Sequence, residues 1–203
     1  EGLGYIDNAA GKGVFCHSSI AATVNGLPLG LLNQLIWSRA SSELGKSVNR
    51  RQKTFDQKES YKWYQGITSV NELLGEEIVK IHIGDRDADI YELFFNEPAE
   101  KAELLIRARH NRKTAAGSEL WQHIGSQKVA AEEEIIIPDR TGKRKRKVQV
   151  QVRYQEVEIL CPAHKKGKVY ESVVLTAIEI RQKGNNKDGI HWKLLTTLPI
   201  NNA

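Results

Sequence analysis

The chain has 203 residues, 40% of them hydrophobic and 27% charged, a composition that excludes wholesale disorder and supplies enough apolar material for a core without disulfide or metal staples. Its longest apolar runs, such as "LLIRA" and "EIIIP", fall far short of the roughly 18 residues of a membrane-spanning helix. No charged-then-apolar leader opens it and Cys16 and Cys161 form no Cys-x-x-Cys pair, so a cytoplasmic protein with reduced, inert thiols is expected. Net charge is +5, yet 13 Lys/Arg stand against 6 Asp/Glu between Lys101 and Arg153; that local positive field implies either a polyanionic partner, most often nucleic acid, or a solvated basic face. The sequence opens at Glu1 and contains no methionine, as expected of an internal piece of a longer protein.

In chain order, "VFCHSSIAATV" (14–24) and "PLGLLNQLIWSR" (28–39) have strand-like density on either side of a turn signal at Asn25-Gly26, which predicts an antiparallel pair. The polar stretch 40–55 has no period and reads as an exposed loop. From Asp56, Trp63, Ile67, Val70 and Leu74 recur at four, three and four. That spacing predicts an amphipathic helix ending at Gly75, with Asp56 and Glu59 as a capping box. "EIVKIHIGD" predicts a short buried strand ending at Gly84-Asp85, "ADIYELFFN" a helix through Ile90, Leu93 and Phe94, and "AELLIRARH" a strand from Leu104 to Arg109. The order predicts one α/β sheet with at least one crossover helix. Beyond Ala115 a short helix in "SELWQHI" precedes four strand-like runs, "EEEIIIP", "KVQVQVRYQEVEIL", "VYESVVLTAIEI" and "IHWKLLTTLPI", which predict an antiparallel meander. In the second run Val148, Val150 and Val152 alternate with Gln149, Gln151 and Arg153, predicting one polar, basic face.

Three groups of residues carry chemical potential. Asp85, directly after the strand and Gly84, sits where open α/β sheets place their ligands and fits a divalent-metal ligand; Asp87 and Asp89 fit a helix cap and a first-turn dipole partner. His82 falls on the strand face opposite Ile81 and Ile83, a solvated or core-edge position. Arg107 and Arg109, two apart on a strand, project to one face and suit phosphate contact, with Arg112 and Lys113 just beyond; pairing with the nearby acidic turn is the structural alternative. The turn "DRTGKRKRK" puts Lys143, Arg144, Lys145, Arg146 and Lys147 at a hairpin tip, where Arg144 and Arg146 are the expected grips on a nucleic-acid backbone. Trp192 reads as core cover or as a platform for an unpaired base.

Taken together, "IGDRDADIYEL", "LLIRARHNRKT", "QKESYKW" upstream and "IHWKLLTTLP" downstream resemble the cut-and-paste transposases of bacterial insertion sequences, in the hairpin-forming branch of the ribonuclease-H-like DDE class. The resemblance runs in order from "GKGVFCHSSI" to "TTLP". It implies a ribonuclease-H-like mixed sheet with helices over 1–113 and an antiparallel β-rich insertion over 114–203. It also implies that Asp85 is the second of three catalytic acids and binds Mg²⁺ or Mn²⁺. Arg107 and Arg109 match residues that contact transposon-end DNA, and Trp192 matches the Trp that stacks on a flipped base. The implied partners are double-stranded DNA and a second copy in a synaptic homodimer, in the bacterial cytoplasm. The first acid is expected upstream of "GKGVFCHSSI", with Asp7 only in the loop after it, and the Tyr-x-x-Arg-x-x-x-Glu helix after "LTTLP"; both outer acids then lie outside these 203 residues. The rival expectation is a DNA-binding module without nuclease activity, or a decayed transposase remnant.

Overall fold

A computed structural model describes residues 2–6, 11–39, 53–95, 102–138, 144–165, 171–184 and 189–200. The chain divides into two compact units, Glu1–Lys80 and Ile81–Ala203. The loop expected at 40–55 falls largely outside the described residues, as do Asp7 and Lys143.

In the first unit, β1 (Gly4–Tyr5) pairs with β2 (Lys12–Gly13), and β3 (Phe15–Ala22) pairs antiparallel with β4 (Pro28–Trp37) as expected. The connection closes through Thr23, whose amide donates to the Leu27 carbonyl at 2.9 Å while its Oγ1 accepts from the Leu27 amide at 3.1 Å. Gly26 takes the left-handed φ of 81° that this turn needs. A two-stranded ribbon is marginal alone, and α1 (Tyr61–Leu74) packs against both strands. It does so through a face of Gly66, Ile67, Val70 and Asn71, with Trp63 edge-on to His17 at 4.5 Å between centroids. The helix stops at Gly75, φ 68°, as predicted. The capping box does not form: the helix begins at Tyr61 behind Ser60, and Glu59 instead receives a forked contact from Arg39 at 2.7 and 2.8 Å.

The second unit is one six-stranded sheet built from β5 (Ile81–Gly84), β6 (Glu103–Arg107), β7 (Ala131–Pro138), β8 (Lys145–Ile159), β9 (Val173–Gln182) and β10 (His191–Thr196). The spatial order is β5-β6-β10-β9-β8-β7, with β5 and β6 parallel and every other pair antiparallel. The meander is therefore as predicted. The expectation of a single sheet through the first half is not met, because β3 and β4 form a sheet of their own while β5 and β6 belong to the six-stranded one. β6 and β10 are hydrogen-bonded neighbours in the register Leu194↔Arg107, so one sheet runs across positions 113 and 114. The protein is thus α/β, with a mixed six-stranded sheet and few helices.

The principal core lies on one face of this sheet. Leu104, Ile106, Val157, Ile159, Leu175, Ala177 and Leu195 are buried there, and α2 (Leu120–Gly125) packs over β8 and β9. α2 contributes Leu120, Trp121 and Ile124, while Ala88, Tyr91, Leu93 and Phe94 come from the segment after β5. That segment was expected to be a helix and forms two 3₁₀ turns, Arg86–Ala88 and Tyr91–Phe94, separated by Ile90 in an extended conformation. β5 also differs from expectation. It is an edge strand whose Ile81 and Ile83 are 42% and 76% exposed, while Gly84 is buried and His82 half-buried, at the core's edge. No described helix is long and apolar enough to cross a membrane.

Candidate nucleic-acid interface at the end of the parallel strand pair

Because β5 and β6 run parallel with Gly84 level with Ile106, the two chains leave the sheet side by side, Asp85 from one and Arg107 from the other. Among the described residues, only here do neighbouring strands of this sheet share a carboxyl end, the position at which crevices form in α/β sheets.

The three aspartates that follow have distinct fates. Asp85 is extended (φ −77°, ψ −169°), and its Oδ1 accepts the Asp87 amide at 2.8 Å, so Asp85 itself caps the first 3₁₀ turn. The capping role expected of Asp87 belongs to the residue two positions earlier, because a side-chain oxygen reaches the amide two residues on without distorting the turn. Asp87 is exposed and meets the Arg109 guanidinium at 3.2 Å, with both side chains more than half exposed. Asp89 is buried rather than a surface dipole partner. Its Oδ2 accepts the amides of Arg109 and His110 at 2.7 and 2.8 Å, and its Oδ1 lies 2.6 Å from Arg112 Nη2. Arg112 also donates to the Asp89 carbonyl at 3.2 Å. Both side chains are almost fully enclosed, at 7% and 0% exposure. Arg112, expected to touch DNA, is thus sequestered: leaving it unpaired in the interior would cost several kcal/mol, on the order of the ~3–5 measured for such pairs.

The other cations expected to meet DNA are exposed, Arg109 in its contact with Asp87. Arg107 ends β6 exposed, on the sheet face opposite the buried Ile106. Arg109 is exposed beyond the strand end, where Ala108 continues the pairing by donating to the Lys193 carbonyl at 2.7 Å. Lys113 is exposed, its backbone held by a bridge to Glu119 and by the Leu160 amide at 2.9 Å. Arg144 and Arg146 are exposed at the start of β8, with Arg146 opposite Ile137. The polar face of β8 is less basic than expected: Lys147 pairs with Glu134 at 2.6 Å, Gln149 and Gln151 donate to Glu134 and Glu132, and Arg153 lies 3.8 Å from the buried Glu179. Trp192 is half-buried opposite Ile180, packed against Val148, Val150 and Ile190.

Two residues not singled out from sequence belong to this neighbourhood. Arg86, exposed in the acidic turn, was masked by its flanking aspartates, whose charges cancel it in any local count. Lys193 lies 5.2 Å from the Trp121 ring centroid, a cation–π contact that only tertiary structure creates. Behind the turn, Tyr91 donates to the Glu171 carbonyl, and burial pushes its phenol up to about 12.

The donor set at Asp85 fits a modest share of a metal site. The cap engages Oδ1, and among the described residues Oδ2 takes no hydrogen bond or ion pair. Mg²⁺ tolerates this, since it binds through one or two carboxylates and keeps waters and phosphate oxygens. Asp87 and Asp89 are already paired with arginines, so neither stands ready as a second ligand. Comparison with known protein families finds none that matches this chain.

Proposed function

We propose that the chain is part of the catalytic core of a ribonuclease-H-like DDE-class DNA transposase, and that in the complete protein it serves metal-dependent end cleavage, hairpin formation and strand transfer. The supporting observation is the placement of Asp85 beside exposed Arg86, Arg107 and Arg109 at the shared carboxyl end of β5 and β6. One carboxylate among cations at a strand end suits a phosphodiester, whose charge the arginines neutralise while the acid faces the scissile bond. Asp85 would hold Mg²⁺ or Mn²⁺ through Oδ2, and such an ion, when bound, supplies Lewis-acid polarisation of the phosphate and activates the attacking oxygen. Arg107, Arg109 and Lys113 grip the backbone of double-stranded transposon-end DNA. Arg144 and Arg146 extend the contact from the β7–β8 hairpin, and Trp192 lends one ring face to a base drawn from its stack. The active assembly is a synaptic homodimer in the bacterial cytoplasm.

Asp85→Ala in the complete protein is expected to abolish end cleavage in Mg²⁺ or Mn²⁺ while leaving end binding intact; persistent cleavage would overturn the assignment. Arg107→Ala and Arg109→Ala should each weaken binding and flatten its dependence on salt by about 0.9 in the log–log slope. A second reading, a DNA-binding module without nuclease activity or a decayed transposase, draws support from the engagement of all three aspartates in caps or ion pairs. It predicts salt-dependent DNA binding with no metal-dependent cleavage by the unaltered protein.

A further inference from the structure

We infer that Asp89 and Arg112 form a positioning pair that sets the DNA-gripping segment against the Asp85 turn, Arg112 acting from the interior rather than on the nucleic acid; the inference rests on the nucleic-acid reading above. Asp89 lies four residues beyond Asp85, on the chain that carries the acidic turn. Its carboxylate takes the amides of Arg109 and His110 at 2.7 and 2.8 Å, within the stretch that carries Arg107 and Arg109. A single oxygen thus joins the two chains just where they leave the sheet. The second oxygen meets Arg112 at 2.6 Å, and the same guanidinium nitrogen reaches the Asp89 carbonyl at 3.2 Å.

Arg112 therefore holds both the side chain and the main chain of Asp89, and closes the loop between Arg109 and its own position. The exposed Arg109–Asp87 contact at 3.2 Å cannot supply this constraint, because two solvated side chains exchange partners freely. Beyond Arg107, the Ala108–Lys193 hydrogen bond, which continues the strand pairing by one residue, and the backbone contacts to Asp89 set where the next residues go. Small displacements matter there, since a misplacement of about 1 Å costs a positioned site far more than its contact energy suggests.

The test compares Asp89→Asn, Arg112→Gln and the double variant with Arg107→Ala in binding to a mixed-sequence double-stranded DNA oligonucleotide across a salt series. Measurements are made at a temperature where circular dichroism shows each variant folded. Asp89→Asn keeps an acceptor for the two amides and removes only the charge that Arg112 needs. Each single variant is expected to bind about tenfold more weakly with the unaltered salt slope, whereas Arg107→Ala lowers the slope by about 0.9. The double variant should recover most of the loss, because the two new amides satisfy each other. Arg112→Lys keeps the charge but exchanges the guanidinium nitrogen that meets both the carboxylate and the carbonyl of Asp89 for an ammonium, and should weaken binding less; where Arg112→Gln does not fold, Asp89→Asn carries the comparison with Arg107→Ala.

A drop in slope for Arg112→Gln of the size seen for Arg107→Ala would make Arg112 a phosphate contact and overturn the inference. So would wild-type affinity in folded Asp89→Asn, since a role in stability alone leaves affinity untouched. If the unaltered protein does not bind DNA, the functional reading fails, and the pair is then judged by hydrogen exchange. Arg109 and His110 amides should lose protection in Asp89→Ala and keep it in Arg107→Ala; unchanged protection in Asp89→Ala would overturn the positioning role by itself.

Discussion

Two of the places in the second unit where acids meet cations are set apart by burial. At the end of β5 and β6, Asp89 and Arg112 are enclosed, two backbone amides donate to one carboxylate oxygen while Arg112 faces the other, and the pair ties distant segments together. On β7 and β8, Glu132 and Glu134 meet Gln151, Gln149, Lys147 and Lys183 in a ladder open to solvent. The residue types are much the same in both places. In water the ladder's partners are nearly as well solvated apart as together, whereas removing one member of the buried pair strands a charge with no solvent to receive it. The contrast also separates the basic residues: those in the ladder are neutralised locally, Arg112 is locked away, and Arg107, Arg144 and Arg146 remain at the surface.

The contrast is most directly broken at Arg112. Arg112→Met should destabilise the chain by about 3–5 kcal/mol in denaturant unfolding, and a loss below about 1 kcal/mol would place the pair in the same class as the ladder. Asp85→Ala removes the 3₁₀ cap and is expected to cost about 0.5–2 kcal/mol, with Asp85→Asn retaining most of it because the amide oxygen still accepts the Asp87 N–H. Tyr91→Phe deletes the hydrogen bond to the Glu171 carbonyl and should cost about 0.5–1.5 kcal/mol.

Tyr91 also makes a pH test. Its folded value of about 12 lies above the ordinary 10, so the stability it confers is complete below pH 10 and declines as pH rises towards 12, where the unfolded chain loses its proton first. Unfolding midpoints measured across that window should fall, and less steeply in Tyr91→Phe. The smallest effect belongs to the ladder. The Lys183 and Gln151 hydrogen bonds hold the Glu132 carboxyl below its usual range, so its contribution is present above about pH 4.5 and fades as pH falls through the depressed value. Glu132→Gln should abolish that acid-side dependence while leaving stability at neutral pH almost unchanged.

Much of the local architecture was legible in the residue order. The β3–β4 turn announced itself through Asn25-Gly26, α1 through four apolar positions at helical spacing, and the meander through strict alternation about Val148, Val150 and Val152, because these signals are properties of neighbouring residues. The acidic stretch was legible only as a place. Asp85, Asp87 and Asp89 are equivalent in composition; Asp85's cap is local, to the Asp87 amide, but the separation of Asp87 as surface partner from Asp89 as buried anchor depends on Arg109, His110 and Arg112, twenty or more residues along the chain. The capping box at Asp56 failed for a related reason: Arg39, about as far away in the other direction, offered Glu59 a charge-assisted fork in place of a backbone amide.

The sequence by itself determined the β3–β4 pair, α1 and the strands of the meander, the basic middle of the chain, and the position of an acidic turn just beyond a strand. Tertiary structure alone decided that β6 pairs with β10, that Ile81 and Ile83 face outward on an edge strand, and that Arg112 is an interior residue. Periodicity records which side of an element is apolar, but pairing and burial depend on which distant segment arrives beside it, and that is a property of the folded chain.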